Sequence, residues 1–238
     1  MKSTQSGFLS ERRNRILSVL CAFAASLIGV WILTVSMHHS VGIGGDAVIY
    51  LESARNFLAG QGMGLIQPDG SFRLIPYFPP FYPFVLSLFL RFGIDDLTAA
   101  KAINLGGAGL TIFLLSLTAA HGTKRFYAGF YLGLLLAGSP ILIPGSSWAM
   151  SEVLANTLAV IALIEVVRAG ADRERLRPGS FFLSALCAGL SALTRYSMLS
   201  VAAAGSVLIL VLMRTPWLKR LGYAFSYGVI GVLPLGAW

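Results

Sequence analysis

The sequence predicts an all-α protein, a polytopic bundle of about seven transmembrane helices with a large external first loop that carries interfacial helices. Three observations predict it. The 238-residue chain is 56% apolar and 12% charged, with a mean hydropathy of +0.76, where a soluble domain carries roughly a quarter charged residues. Several apolar runs reach about 20 residues, the length a helix needs to cross the hydrocarbon core. Lys and Arg gather in alternate connecting segments.

Lys2, Arg12, Arg13 and Arg15 form a basic stretch ahead of the apolar run Ile16 to Met37. A signal peptide has a shorter apolar core and a small-residue cleavage site, so this run predicts a retained first span. Further spans are expected at 100–120, 127–145, 150–167, 180–194, 197–213 and 221–238. With a cytoplasmic N-terminus, the inside segments are 1–15, the turn at Lys124 and Arg125, the loop Arg168 to Pro178 and the loop Arg214 to Arg220. These hold 13 of the 18 Lys and Arg residues. Only Arg55, Arg73, Arg91, Lys101 and Arg195 lie elsewhere, which is the positive-inside bias of a multi-pass cell-membrane protein. It also accounts for the net charge of +8 without nucleic acid as a partner. Residues 1–15 read as a cytoplasmic tail and 16–238 as one transmembrane domain. Cys21 and Cys187 fall inside apolar runs and read as small core residues.

The run Phe81 to Phe92 is too short to span and ends beside Arg91. Counting it as a span would put the basic loops outside. It reads instead as an interfacial or re-entrant helix, and 38–99 becomes one external loop. Within that loop Tyr50, Leu51, Ala54, Phe57 and Leu58 form a helical apolar stripe, with Glu52, Arg55 and Asn56 on the other side. Asp46 sits where an N-cap belongs, and Gly60, Gly62 and Gly64 close the helix. After it come a turn-rich piece at 67–70 and the stiff, aromatic segment 77–83.

The chain stops at GlyAlaTrp, at the end of an apolar run, which reads as the N-terminal part of a longer protein. GDAVIYLESARNFLAGQG at 45–62, PPFYP at 79–83, SerGlu at 151–152 and AlaLeuThrArgTyrSer at 192–197 occur in that order after one span. Together they resemble the GT-C superfamily of polytopic glycosyltransferases, similar to the bacterial protein O-mannosyltransferase and aminoarabinose transferase type, over nearly the whole chain. The resemblance implies transfer of a sugar from a polyprenyl-phosphate donor to a glycan, lipid or protein acceptor at the external face. It implies an essential acid in the first external loop, which Asp46 matches. Ala47 stands where many relatives carry a second acid. Glu152 matches a further acidic position.

Each site candidate has a plain structural role beside its functional one. Asp46 is a helix cap or a general base that takes the acceptor's proton. Glu152 opens a helix and suits its dipole, or it binds a divalent metal or positions the acceptor. Arg195 snorkels at a helix end, or it grips the donor phosphate or pairs with Asp46 or Glu152. Arg55 pairs with Glu52 at i,i+3, or it contacts phosphate. Tyr50 and Tyr82 are interfacial aromatics or line the site. Asp95 and Asp96 read as loop-solvating residues, and Glu165 as the partner of Arg168. His38, His39 and His121 do not close a metal site, and no organic cofactor is expected. The absence of a Walker loop or dinucleotide fingerprint argues against ATP-driven transport within this chain. The alternatives from other classes are a secondary transporter and a non-catalytic membrane scaffold.

Overall fold

A computed structural model describes residues 2–236 and 238, with side chains from Glu11 onward. Met1 and Ala237, which belong to the expected tail and last span, lie outside the described residues. The architecture is helical: α1 (Lys2–Ser36), α2 (Gly45–Leu58), α3 (Phe81–Arg91), α4 (Asp96–Thr123), α5 (Phe126–Ala137), α6 (Leu142–Ser146), α7 (Glu152–Ala169), α8 (Pro178–Thr194), α9 (Leu199–Leu212) and α10 (Trp217–Gly236). A 3-10 turn, η1 (Tyr196–Met198), precedes α9, and a hairpin of β1 (Gly64–Ile66) and β2 (Phe72–Leu74) comes after α2. The chain divides into two compact units, one of residues 1–42 and 101–148, the other of 43–100 and 149–238.

Among the described residues, two helical stretches are long and apolar enough to cross a membrane, Glu11–Ser36 and Asp96–Thr123. The helices at the other expected spans are shorter or more charged. α5, α8 and α9 are apolar but only 12, 17 and 14 residues long. α7 carries Glu152, Glu165 and Arg168, and α10 carries Lys219 and Arg220.

In the first unit, α1 runs unbroken from the basic stretch into the apolar one, so the expected tail is helical. No proline interrupts it, and Glu11 pairs with Arg15 one turn on at 2.6 Å. α1 packs on α5 through Ala25 and Ala137, joined by Ile112 of α4. Small residues allow the close approach: Ser26 Oγ donates to the Gly109 carbonyl at 2.8 Å, and a Cβ on Gly133 would collide with Ala25 and Ser116. The expected span 127–145 is broken. α5 stops at Ala137, before Gly138 and Pro140, and α6 is a single short turn. The freed carbonyls of Ser146 and Trp148 accept hydrogen bonds from Asn104 Nδ2 at 2.8 and 2.7 Å.

In the second unit α7 to α10 pack around an alanine-rich core that includes Ala162, Ala185, Ala188, Ala202, Phe181 and Tyr227. Serines tie the helices together. Ser184 Oγ donates to the Ala162 carbonyl at 2.6 Å, and Ser191 Oγ donates to the Ala155 carbonyl at 2.8 Å. The segment before α4 is ordered by α2. Tyr50, Leu51 and Ala54 are buried as expected, but Leu58 is exposed and Asn56 is buried. Asn56 turns inward because its amide donates to the Gly64 carbonyl at 2.7 Å. Glu52 does not pair with Arg55. It accepts the Ile66 N–H at 2.7 Å and so fastens the hairpin to α2. Gly60 and Gly62 end α2 with φ of 76° and 86°, whereas Gly64 belongs to β1. Residues 67–70 form the hairpin turn, where Asp69 accepts the Ser71 N–H at 2.9 Å; the Ser71 hydrogen bonds hold the Asp69 carboxyl below its usual pKa.

Candidate functional site

The N-terminal end of α2 and the connection from α8 to η1 belong to one recess in the second unit. It has a volume of about 230 Å³ and is lined by Asp46, Tyr50, Tyr77, Phe78, Arg195 and Tyr196, among others. Asp46 and Arg195 bring opposite charges to it from distant parts of the chain.

Asp46 lies in the first turn of α2, but Gly44 is the N-cap. The capping expectation for Asp46 is therefore corrected. The helix starts two residues earlier than the carboxylate would require, and no side chain caps it. Asp46 is exposed, and no hydrogen bond to its carboxylate occurs among the described residues. Its negative charge gains from the N–H end of α2 without being consumed by it.

Arg195 is the C-cap of α8, in extended conformation, which turns it out of the helix. Its Nη1 donates to Glu152 Oε1, the first residue of α7. Both side chains are about one-third exposed, at 33% and 32%. Glu152 Oε2 is buried and has no partner among the described residues.

Tyr50 is buried between Phe78 and Tyr82, which meet its ring edge-on at centroid distances of 5.5 and 5.3 Å. Its hydroxyl accepts a hydrogen bond from Ser151 Oγ at 3.3 Å. Burial raises the Tyr50 pKa; the Ser151 hydrogen bond and Arg195 oppose that, while Asp46 and Glu152 add to it. Tyr82 is fully buried behind Tyr50, and its hydroxyl has no partner among the described residues. Burial first, then the charge of Glu152, pushes its pKa well up. Both tyrosines are thus neutral at ordinary pH and available only as hydroxyl groups.

Arg55 is not part of the recess. Its Nη2 pairs with Asp96 Oδ2 at 2.5 Å, in place of the expected Glu52 partner. Asp96 is therefore buried, not loop-solvating, and it also accepts the Leu97 N–H at 2.9 Å at the start of α4. Asp95 behaves as expected and is exposed. Glu165 does meet Arg168, at 2.5 Å.

Several lining residues were not singled out by sequence. Tyr196 joins the recess because η1 holds it there, its hydroxyl donating to the Pro76 carbonyl at 3.3 Å. Its position beside Arg195 was the available signal. Ser197 lies in the quoted 192–197 motif and Phe78 in the aromatic segment 77–83, but neither was singled out as a site residue.

The metal reading of Glu152 fits poorly. A divalent cation needs several oxygen ligands. Among the described residues no three His, Cys, Asp or Glu side chains converge, and Glu152 is already engaged by Arg195.

No family model, curated protein or solved structure matches this chain. The resemblance rests on the order of short motifs alone.

Proposed function

We propose that the chain is a multi-pass membrane glycosyltransferase that moves a sugar from a polyprenyl-phosphate donor to an acceptor hydroxyl at the external face. One observation carries this reading: Asp46 and Arg195 line the same recess, a free carboxylate beside a guanidinium, with aromatic walls. In a single displacement, the acceptor hydroxyl gives its proton to Asp46 while its oxygen bonds to the sugar C1. The C1–O bond to phosphate breaks, and the departing phosphate carries its charge toward Arg195, whose paired N–H donors match phosphate oxygens. Glu152 holds Arg195 in place. A single displacement at C1 inverts the anomeric configuration.

The membrane arrangement belongs to the same proposal. Residues 16–238 form the transferase domain, with about seven spans, an internal N-terminus and 38–99 outside, as the distribution of Lys and Arg implies. α3 exposes Phe84 and Leu88, which suits a helix lying in the interface. At about 230 Å³ the recess is smaller than the roughly 300–1,000 Å³ of ordinary small-molecule pockets, so it suits the phosphate and the reacting end of the sugar.

The test is Asp46→Asn in membranes loaded with a radiolabelled polyprenyl-phosphate sugar. Loss of a general base lowers transfer about 10²- to 10⁴-fold, while insertion is unchanged. Full transfer by that variant refutes the assignment. The transporter reading draws on the helix break between α5 and α6, since transporters use interrupted helices. Solute flux into proteoliposomes without lipid-linked transfer would select it.

A further inference from the structure

A second recess, of about 640 Å³, lies within the first unit, lined by Glu11, Asn14, Arg15 and Ser18 of α1 and by His121 and Lys124 at the end of α4. The size is that of a small-molecule site, roughly 300–1,000 Å³. We propose that it binds the phosphoglycerol headgroup of an anionic phospholipid. This does not depend on the reaction proposed above.

Three features argue for it. The first is backbone conformation. Lys124 has φ of 58°, a left-handed conformation that disfavours any residue with a Cβ. The geometry is a helix-terminating motif in which the Arg125 N–H bonds the Ala120 carbonyl at 3.0 Å and the Lys124 N–H bonds that of His121 at 3.3 Å. Glycine is the usual residue there, yet this chain places a lysine and holds it with a 3.0 Å hydrogen bond from Asn14 Nδ2 to the Lys124 carbonyl. The strained residue is thus a lysine that lines the recess.

The second feature is charge. Arg15 and Lys124 outnumber Glu11, and Arg12, Arg13 and Arg125 are exposed in the adjoining sequence. The carbonyl end of α4 would repel an anion, but several carbonyls at that end are already engaged. Ala119 accepts from Thr123 Oγ1 at 2.7 Å, Ala120 and His121 accept the N–H groups just described, and Lys124 accepts from Asn14. The Glu11–Arg15 pair is exposed, 64% and 71%, so Arg15 is free to share a phosphate. Glu11 then serves as an acceptor for the glycerol hydroxyls.

The third feature is the next stretch of α1. Ile16, Val19, Leu20 and Phe23 are exposed apolar residues directly after the polar lining. A polar recess on the same helix that carries exposed apolar residues on its other faces suits a headgroup whose acyl chains run beside the helix, whereas a free anion would need only the recess. Basic pockets between transmembrane helices bind anionic headgroups by the same means.

The test uses the purified full chain in detergent micelles, titrated with phosphatidylglycerol, phosphatidylethanolamine and phosphatidylcholine of identical acyl chains, with bound lipid counted by native mass spectrometry. Phosphatidylglycerol should bind tightest. Lys124→Gly should weaken it about fivefold, the worth of one cation near the surface. Because glycine favours this backbone conformation, the variant should melt no lower than the parent. Undiminished phosphatidylglycerol binding by Lys124→Gly overturns the proposal. So does an equal loss in Lys219→Gln, an exposed cation of the other unit, since that would mean diffuse attraction. Displacement of the lipid by millimolar inorganic phosphate would make the ligand a free anion and overturn it too. Retention of the lipid under phosphate supports it.

Discussion

Arg195 reaches Glu152 with one guanidinium nitrogen and also lines the recess that Asp46 borders, so one cation serves a structural carboxylate and a cavity. The sequence marks Arg195 as a cation in an unexpected place and calls for an acidic partner, and Glu152 is that partner. It could not choose between Glu152 and Asp46, because the choice depends on how α7 and α8 pack. Under the proposed transfer, Arg195→Gln should weaken binding of the polyprenyl-phosphate donor roughly 10- to 100-fold, the loss of a hydrogen bond to a charged group. The fold should suffer less, because the pair is partly solvated. Donor affinity in nanodiscs, compared with the melting temperature, separates the two. If both fall together, the residue is only structural. Arg55 shows the opposite case. Its spacing from Glu52 suggested a local pair, but Asp96 offers a buried carboxylate and Glu52 is taken by a backbone N–H. Long-range partners of that kind leave no trace in local spacing.

Helices were legible wherever a long apolar run continued without Pro, as in α1, α4 and α7. The break after Ala137 was signalled by Gly138 and Pro140, but hydropathy averaged over the run conceals it. The short hairpin was missed as strand, since three-residue strands are held by Glu52 and by their turn and not by alternation. Packing between α9 and α10 relies on absent side chains, most tightly at Gly205, where a Cβ would overlap the ring of Tyr227. Gly205→Ala should therefore destabilise the second unit by about 1–3 kcal/mol, from overpacking, despite alanine's better helix propensity. Urea unfolding in micelles measures this, and a stabilised variant would show that the Tyr227 ring yields.

For the molecule as a whole, the proposed orientation can be tested by labelling. In a background with Cys21 and Cys187 replaced, a membrane-impermeant maleimide should label Gln61→Cys on intact cells. Glu174→Cys should react only after the membrane is opened. Both positions are exposed. The reverse pattern would remove Asp46 from the outer face and end the transferase reading. Composition and periodicity alone determined that the chain is helical and apolar, because they report the local preference of each segment for hydrocarbon and for a 3.6-residue repeat. Among the described residues, the long apolar stretches of α1 and α4, which could cross a membrane by length and composition, reflect the same property. Only the tertiary structure decided that Asp46 does not cap α2 and shares a recess with Arg195, that Asp96 is buried against Arg55, and that Lys124 lines a cavity with Arg15. Those pairings depend on which helix faces meet, and closely packed small residues set that distance throughout each unit at once.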